Sequence, residues 1–349
     1  MKNIFIARKE NVYTWLLVFF LVLIIGGRGQ TNDTQVYYNV FKLIPYYDFF
    51  DAASFYEDTR MEIGFGYFLK IIHFFSSSSF FLFSIISFII FFLYIKISIN
   101  LKLNSLLLVL IYILSGFFIF QQFMQIRQAL STFLYLYAVL IFFDKKFFLS
   151  ICLFALSLSI HQTAVLPVVF FLLVLICFKI FVNLNKVGFF IISLLGLIVA
   201  FFLSKYFLIN FLISSSEAVE GYLNSDFGNQ VSIFGFNNIR MIVCYIFIFY
   251  LYFKNFNGVN VKYKFLFLSL TAGIGMKFGM LEVDILSGRL TTPFTIAELF
   301  LIVYLVFKSF SKSFANILIL LYMLGLFIPA YFFQIDFQNF VKLYLTPLY

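Results

Sequence analysis

Apolar runs of membrane-spanning length recur along the whole of this sequence and leave few folds open to it. Hydropathy places them at 14–27, 80–97, 105–123, 129–143, 147–160, 163–178, 187–204, 239–253, 265–280, 291–307 and 314–333. A helix needs about 20 mostly apolar residues to cross the hydrocarbon core, and lipid offers no partner for an unpaired backbone N–H or C=O. The runs therefore predict helices. Composition closes the soluble alternative: 63% of the 349 residues are hydrophobic and only 11% charged, where a soluble chain carries roughly 25% charged residues. The expectation is an all-α polytopic membrane protein of about 11 transmembrane helices, organised as a single integral membrane domain over 1–349. The first run follows Arg8 and Lys9 without a small-residue cleavage site, so it reads as an uncleaved helix rather than a signal peptide.

The 57 phenylalanines read as lipid-facing residues rather than as an aromatic ligand cage. Cys152, Cys177 and Cys244 each lie inside an apolar run without C-x-x-C spacing, which argues against a disulfide framework or a zinc site. There is no Walker loop, no GxSxG and no HExxH, so the chemistries built on those motifs lose support.

Charge sets the orientation. The net charge of +9 is dispersed rather than gathered into a patch, which speaks against nucleic acid as a partner. The segment 62–75 is the ambiguous one, short and carrying Lys70 and His73. If it does not cross, Lys2, Arg8, Lys9, Lys96, Lys102, Lys145, Lys146, Lys179, Lys186, Lys254, Lys262, Lys264, Lys308 and Lys312 share the cytoplasmic side. If it crosses, all but the first three lie opposite. Cytoplasmic loops are rich in Lys and Arg, so the segment is assigned as a re-entrant or interfacial helix, with the N-terminus inside and the C-terminus outside. Five of the six arginines (Arg28, Arg60, Arg127, Arg240 and Arg289) and twelve of the fifteen acids then fall on or near the outer side. The two larger outer loops are about 28–62 and 205–238. No internal repeat is visible, nor the paired broken helices by which many transporters are known.

Several outer-side residues can carry chemistry. A guanidinium at the end of a span is costly without an anion, and its planar donors match phosphate or carboxylate in a fork. Arg127, in Gln125-Ile-Arg-Gln128, is accordingly either a phosphate ligand or one half of an ion pair with Glu62 or Glu282. Arg289, in Ser287-Gly-Arg289, is a second anion ligand or an interfacial anchor. His161 can exchange a proton, donate to a phosphate oxygen, or pack as a structural residue, whereas His73 is assigned to structure. Arg28, Asp33, Tyr37, Tyr38 and Asn39 follow the first span with the planar hydrogen-bonding groups and rings that suit a sugar; a polar loop with a helix cap at Asp33 is the plainer reading. Glu62 is a general base or a carboxylate favoured at a helix start.

The order of Arg28 to Tyr38, Glu62-Ile-Gly-Phe65, Ile126-Arg-Gln-Ala129, Asp144-Lys-Lys146, Ile160-His-Gln-Thr-Ala164 and Ser287-Gly-Arg289 resembles the EpsG-like branch of Wzy-type O-antigen and exopolysaccharide polymerases. The resemblance covers most of the chain and is densest from Arg127 to Ala164; in the later half only Arg289 lines up. It implies a glycosyltransferase of the bacterial inner membrane, working in lipopolysaccharide or other polysaccharide biosynthesis. Its site would face the periplasm and need no metal or other cofactor. Its substrates would be oligosaccharide units on undecaprenyl pyrophosphate, and a chain-length regulator is a partner implied by the family alone. Glu62, His161 and Arg127 would be catalytic, with Arg28, Asp33, Tyr38, Arg127 and Arg289 binding pyrophosphate or sugar. The rival classes are a lipid-linked oligosaccharide flippase, an O-antigen ligase and a membrane O-acetyltransferase.

Overall fold

The computed structural model describes residues 2–31, 33–177, 184–211, 232–334 and 337–348. Among them there are helices and connections but no strand. Every one of the expected spans falls on helix where described. Five helical runs are long and apolar enough to cross a bilayer, or up to seven if each of two bent pairs counts as one span. The other expected spans are held by helices that are shorter or, at Val261–Gly279, interrupted by Lys262, Lys264 and Lys277. Of the two larger loops, 28–62 folds into short helices, and 205–238 lies mostly outside the described residues, as does Lys179.

The chain packs as two compact units, Met1–Val165 with Leu321–Tyr349, and Leu166–Leu320. The first unit contains α1 (Lys2–Gly26), α2 (Thr34–Leu43), α3 (Ala52–Thr59), α4 (Ile63–Phe75), α5 (Ser79–Asn100), α6 (Ser105–Leu114), α7 (Gly116–Ile119), α8 (Ile126–Phe143) and α9 (Phe147–Ile160). Its centre is α8, buried along most of its length against α5 and α9. Lipid tails are as apolar as leucine, so helices in a bilayer associate through close packing and interhelical hydrogen bonds. The α8–α9 contact is of this kind. Ser131 Oγ donates to the Ser157 carbonyl at 2.9 Å and Ser157 Oγ to the Ser131 carbonyl at 2.8 Å, while Ser150 Oγ reaches the Ala138 carbonyl at 2.8 Å. Such bonds average about 0.6 kcal/mol each. On the α5 side Tyr94, Tyr112 and Phe133 form a ring cluster with centroids 5.0–5.9 Å apart.

The helix α4 has 13 residues, which at 1.5 Å per residue is about 20 Å, short of a hydrocarbon core of about 30 Å. Asp51 caps the preceding α3 by accepting the N–H groups of Ala53 and Ser54 at 3.0 and 3.1 Å. Arg60 ends that helix in the left-handed region at φ 54°, and the chain turns directly into Glu62 and α4.

The second unit holds α10 (Val165–Ile176), α11 (Lys186–Leu203), α12 (Phe236–Lys254), α13 (Val261–Gly279), α14 (Asp284–Thr295), α15 (Ala297–Ser309) and the start of α16 (Lys312–Ile328). Its core is aromatic, with Phe189, Phe190, Tyr252 and Phe267 in mutual contact. The chain returns to the first unit within α16 and continues into α17 (Phe337–Leu345).

One correction concerns broken helices, which hydropathy does not reveal. Each unit has one. α6 and α7 meet at an 80° bend at Ser115, and α14 and α15 at a 42° bend at Ile296. At the first, Ser115 takes an extended backbone (φ −90°, ψ 152°) ahead of Gly116, and its hydroxyl bonds the Tyr112 carbonyl at 2.7 Å. At the second, Pro293 removes a backbone donor, and Thr291, Thr292 and Thr295 each turn a hydroxyl onto the carbonyl four residues back. Both devices bend helices. A hydropathy window averages over them.

Candidate functional site

The first unit brings Glu62, Arg127 and His161 together. Glu62 stands just before α4 in an extended conformation (φ −67°, ψ 141°), and its side chain makes no cap to its own helix. It is therefore turned to other elements. Its Oε2 accepts from Arg127 Nη1 at 2.6 Å, its Oε1 accepts the Gln162 N–H at 2.9 Å, and that same oxygen lies 3.5 Å from His161 Nδ1.

Two local features put the three side chains in reach. α9 stops at His161, whose extended backbone (φ −156°, ψ 128°) leads into the single turn Gln162–Ala164 and frees the Gln162 N–H to point at Glu62. Gly64 lets α4 start directly on the end of α9. A Cβ there would stand 2.5 Å from the Cβ, Oγ and carbonyl oxygen of Ser159. No larger residue fits without pushing the helix starts apart.

The imidazole has a defined preference in its neutral form. Nδ1 accepts the Thr163 N–H at 3.3 Å, which leaves the proton on Nε2. Taking a second proton turns Nδ1 into a donor facing the Glu62 carboxylate, so a proton at this histidine is felt directly by the glutamate.

Arg127, in the first turn of α8, lies 5.7 Å from the Tyr37 ring centroid and 5.8 Å from that of Phe65. The Tyr37 side chain hydrogen-bonds it, and Asp33 lies within electrostatic reach. Of the two acids considered for it from sequence, Glu62 is its partner; Glu282 lies in the second unit, 3.5 Å from Lys205 Nζ. The side chains of Arg127, Glu62 and His161 are 15%, 15% and 17% exposed. They are sheltered enough for charge-assisted bonds to matter, and open enough to be reached.

Asp33 sits at the start of α2, but its side chain makes no cap to that helix. Tyr38 is half-buried, with Lys42 Nζ 5.1 Å from its ring centre. The ring turned to Arg127 is that of Tyr37, one residue earlier. Asp33 and Tyr37 are four apart in the chain, the spacing that puts two residues on one face of a helix, and that spacing was the signal favouring Tyr37 over Tyr38. His73 packs edge-on to Phe41 at 5.1 Å, as its assignment to structure requires.

Arg28 follows α1 and is 3% exposed. Its Nη1 donates to the Gln122 carbonyl, and its guanidinium lies 3.8 Å above the Phe83 ring. Among the described residues no acid pairs with it, and burial pushes its pKa down from the usual value, to about 9. Tyr37 is within electrostatic reach of both Arg28 and Arg127. Arg289 stands partly exposed on α14 in the second unit. That unit also contains a pair that sequence did not single out: Arg240 of α12 and Glu298 of α15, at 2.6 Å, with Cys244 Sγ 3.9 Å from the same guanidinium. The available signal was chemical, since an arginine and a glutamate inside apolar runs each need a partner.

Compared with known families, the chain matches the model of the EpsG family over residues 11–345. No curated protein and no solved structure matches it.

Proposed function

The chain belongs to the EpsG family, and from that premise we propose that this membrane protein is a glycosyltransferase that polymerises undecaprenyl-pyrophosphate-linked oligosaccharide units at the periplasmic face of the bacterial inner membrane. The observation that carries the reading is the convergence of Glu62, Arg127 and His161.

The reaction joins a sugar hydroxyl of the acceptor unit to the anomeric carbon of the donor. The hydroxyl loses its proton, a C–O bond forms, and the bond to the lipid pyrophosphate breaks with its electron pair leaving on the phosphate oxygen. While Arg127 donates to Oε2, that oxygen of Glu62 is not open to a sugar hydroxyl. The arriving pyrophosphate carries more negative charge than Glu62 and competes for Arg127. As Arg127 turns to the phosphate it neutralises the leaving group and releases Oε2 of Glu62 to take the acceptor's proton, while Oε1 stays with the Gln162 N–H. The substrate's own charge thus arms the base that deprotonates the acceptor.

Arg28, Asp33, Tyr38 and Arg289 are assigned to the pyrophosphate and sugar of the bound units, with Tyr37 added by its place at Arg127. With arginines in this role the mechanism requires no metal ion. About eleven spans, and a non-crossing α4 that leaves the arginine-rich side periplasmic, are the topology that goes with it.

A flippase for lipid-linked oligosaccharide is the second reading, favoured by the broken helix in each unit. Gel banding of surface polysaccharide from cells lacking the gene separates the classes. Loss of a polymerase leaves material with one capped repeat, loss of a flippase or ligase leaves none, and loss of an acetyltransferase leaves chain length unchanged. Anything but the single-repeat band overturns the proposal.

A further inference from the structure

Arg28 presents a problem that the residues around it do not solve. Its Nη1 has the Gln122 carbonyl, but Nε and Nη2 are both buried without a hydrogen-bond partner among the described residues. Those two nitrogens are not scattered orphans. They form one edge of the guanidinium, the edge that takes a carboxylate or phosphate in a two-point fork. Each orphaned donor costs about 1–3 kcal/mol, and more where charge is involved. The Phe83 and Phe123 rings, 3.8 and 5.6 Å from the guanidinium, return about 0.5–2 kcal/mol each. They meet the face of the group and leave its edge unanswered.

What covers this corner is the far end of the chain. The Gly29 N–H donates to the Tyr344 carbonyl at 2.8 Å, the Gln30 N–H to the Thr346 carbonyl at 3.0 Å, and Gln30 Nε2 to the Pro347 carbonyl at 2.8 Å. The Tyr344 hydroxyl donates to the Ile24 carbonyl at 2.7 Å. Phe340 and Tyr344 rest on Phe123, with ring centroids 5.2 and 6.3 Å away, which is the ring beside Arg28. Yet α17 has no buried residue of its own. It lies on the surface and is tied down by a few bonds to Ile24, Gly29 and Gln30. The closeness depends on Gly29, where a Cβ would fall 1.8 Å from the Thr346 carbonyl oxygen and 2.6 Å from that of Tyr344.

We propose that Arg28 is a phosphoryl-anion site closed by the segment 337–348, which acts as a strap that lifts when the anion takes the free edge of the guanidinium. The strapped state protects the corner from water and leaves Arg28 under-bonded; the lifted state gives up the Gly29 and Gln30 bonds and gains the fork. The polymerase reading enters only in naming the anion, as the pyrophosphate of a lipid-linked unit. The same chemistry is offered by a phospholipid headgroup.

The test uses the full chain in phosphatidylcholine nanodiscs and follows hydrogen exchange at the Gly29 and Gln30 amides, which the strap protects. Inorganic pyrophosphate should speed their exchange about tenfold in the natural protein and leave it unchanged in Arg28→Gln. Gly29→Ala, which has no room for the strap, should exchange fast without ligand and bind pyrophosphate about tenfold more tightly, because it no longer has to open. Arg28→Gln added to Gly29→Ala should remove that gain. Faster exchange on replacing phosphatidylcholine with phosphatidylglycerol, without pyrophosphate, supports the site and names the bilayer as the source of the anion. No response to either anion, an equal response in Arg28→Gln, or no tighter binding in Gly29→Ala overturns the proposal. A response in a chain whose gene loss leaves surface polysaccharide unchanged refutes the polymerase reading and spares the site. Single-repeat banding with no response does the reverse.

Discussion

Arg127 meets Glu62 in the first unit and Arg240 meets Glu298 in the second, both at 2.6 Å, and the equal bond lengths conceal unequal roles. Glu62 is 15% exposed, stands at a helix start, and divides its oxygens among a guanidinium, a backbone N–H and a histidine. Glu298 is 1% exposed in the first turn of α15, whereas its arginine, on α12, is 15% exposed, as Arg127 is. A sheltered but open pair can exchange one anion for another, because an incoming phosphate is solvated almost until it binds. A pair whose carboxylate is closed inside the helices cannot, because breaking it strands that charge in a medium of low dielectric. The two pairs thus differ in the burial of the carboxylate, and not in bond length or in the exposure of the arginine.

The largest expected effect tests that difference directly. Arg240→Ala leaves Glu298 buried without its counter-charge and should cost about 3–5 kcal/mol of stability, seen as loss of folded protein from the membrane fraction. Arg127→Ala should leave the amount of protein nearly unchanged while polymer formation falls about 10²–10³-fold, the usual loss for one electrostatic stabiliser of a transition state. Full-length polymer from Arg127→Ala, with its expression matched to the natural protein, would remove it from the chemistry.

Next in size is Gly64→Ala. A methyl group 2.5 Å from Ser159 forces the start of α4 off α9 and draws Glu62 away from Gln162 and His161. A displacement of about 1 Å at a reacting group costs about 10²-fold in rate, so polymer yield should fall by that order while the protein remains in the membrane. Wild-type chain lengths from this variant would mean that the close approach serves packing alone.

The smallest effect sharpens the reading of α2. Tyr37→Phe should slow polymerisation about tenfold, from about 1.5 kcal/mol at the low end for a hydrogen bond at a charged group, since Tyr37 is the ring turned to Arg127. Tyr38→Phe should change it by no more than about twofold, because the ring that would face a sugar is kept. Repeat-length distributions on a gel compare the two, and a reversed order would return the role to Tyr38.

The placing of Tyr37 at Arg127 shows where sequence stopped being informative. The helical membrane character was legible because hydrophobic runs report the solvent directly. Glu62, Arg127 and His161 were legible one by one, as polar groups at the ends of apolar runs, but their meeting depends on Gly64 lying against Ser159, a contact between helices far apart in sequence. The breaks at Ser115 and Ile296 were written in Ser-Gly and in Pro with three threonines, signals that a long hydropathy window smooths away. Arg240 and Glu298 were visible as separate charges, and nothing in their spacing joined them. The strap over Arg28 pairs backbone groups of Gly29 and Gln30 with a segment more than 300 positions away, and a glycine after a span reads as an ordinary turn.

The central claim is that Glu62 is a base released by substrate rather than a fixed partner of Arg127. Glu62→Gln tests it most directly, because the amide keeps the shape and still accepts from Gln162 but cannot take a proton. Steady-state polymerisation by the purified protein on lipid-linked repeat units should show kcat lower by about 10²–10⁴-fold with KM within about threefold of the natural value, since binding is left in place. A kcat near the natural value, with the whole loss appearing in KM, would contradict the claim and make Glu62 a residue that positions Arg127.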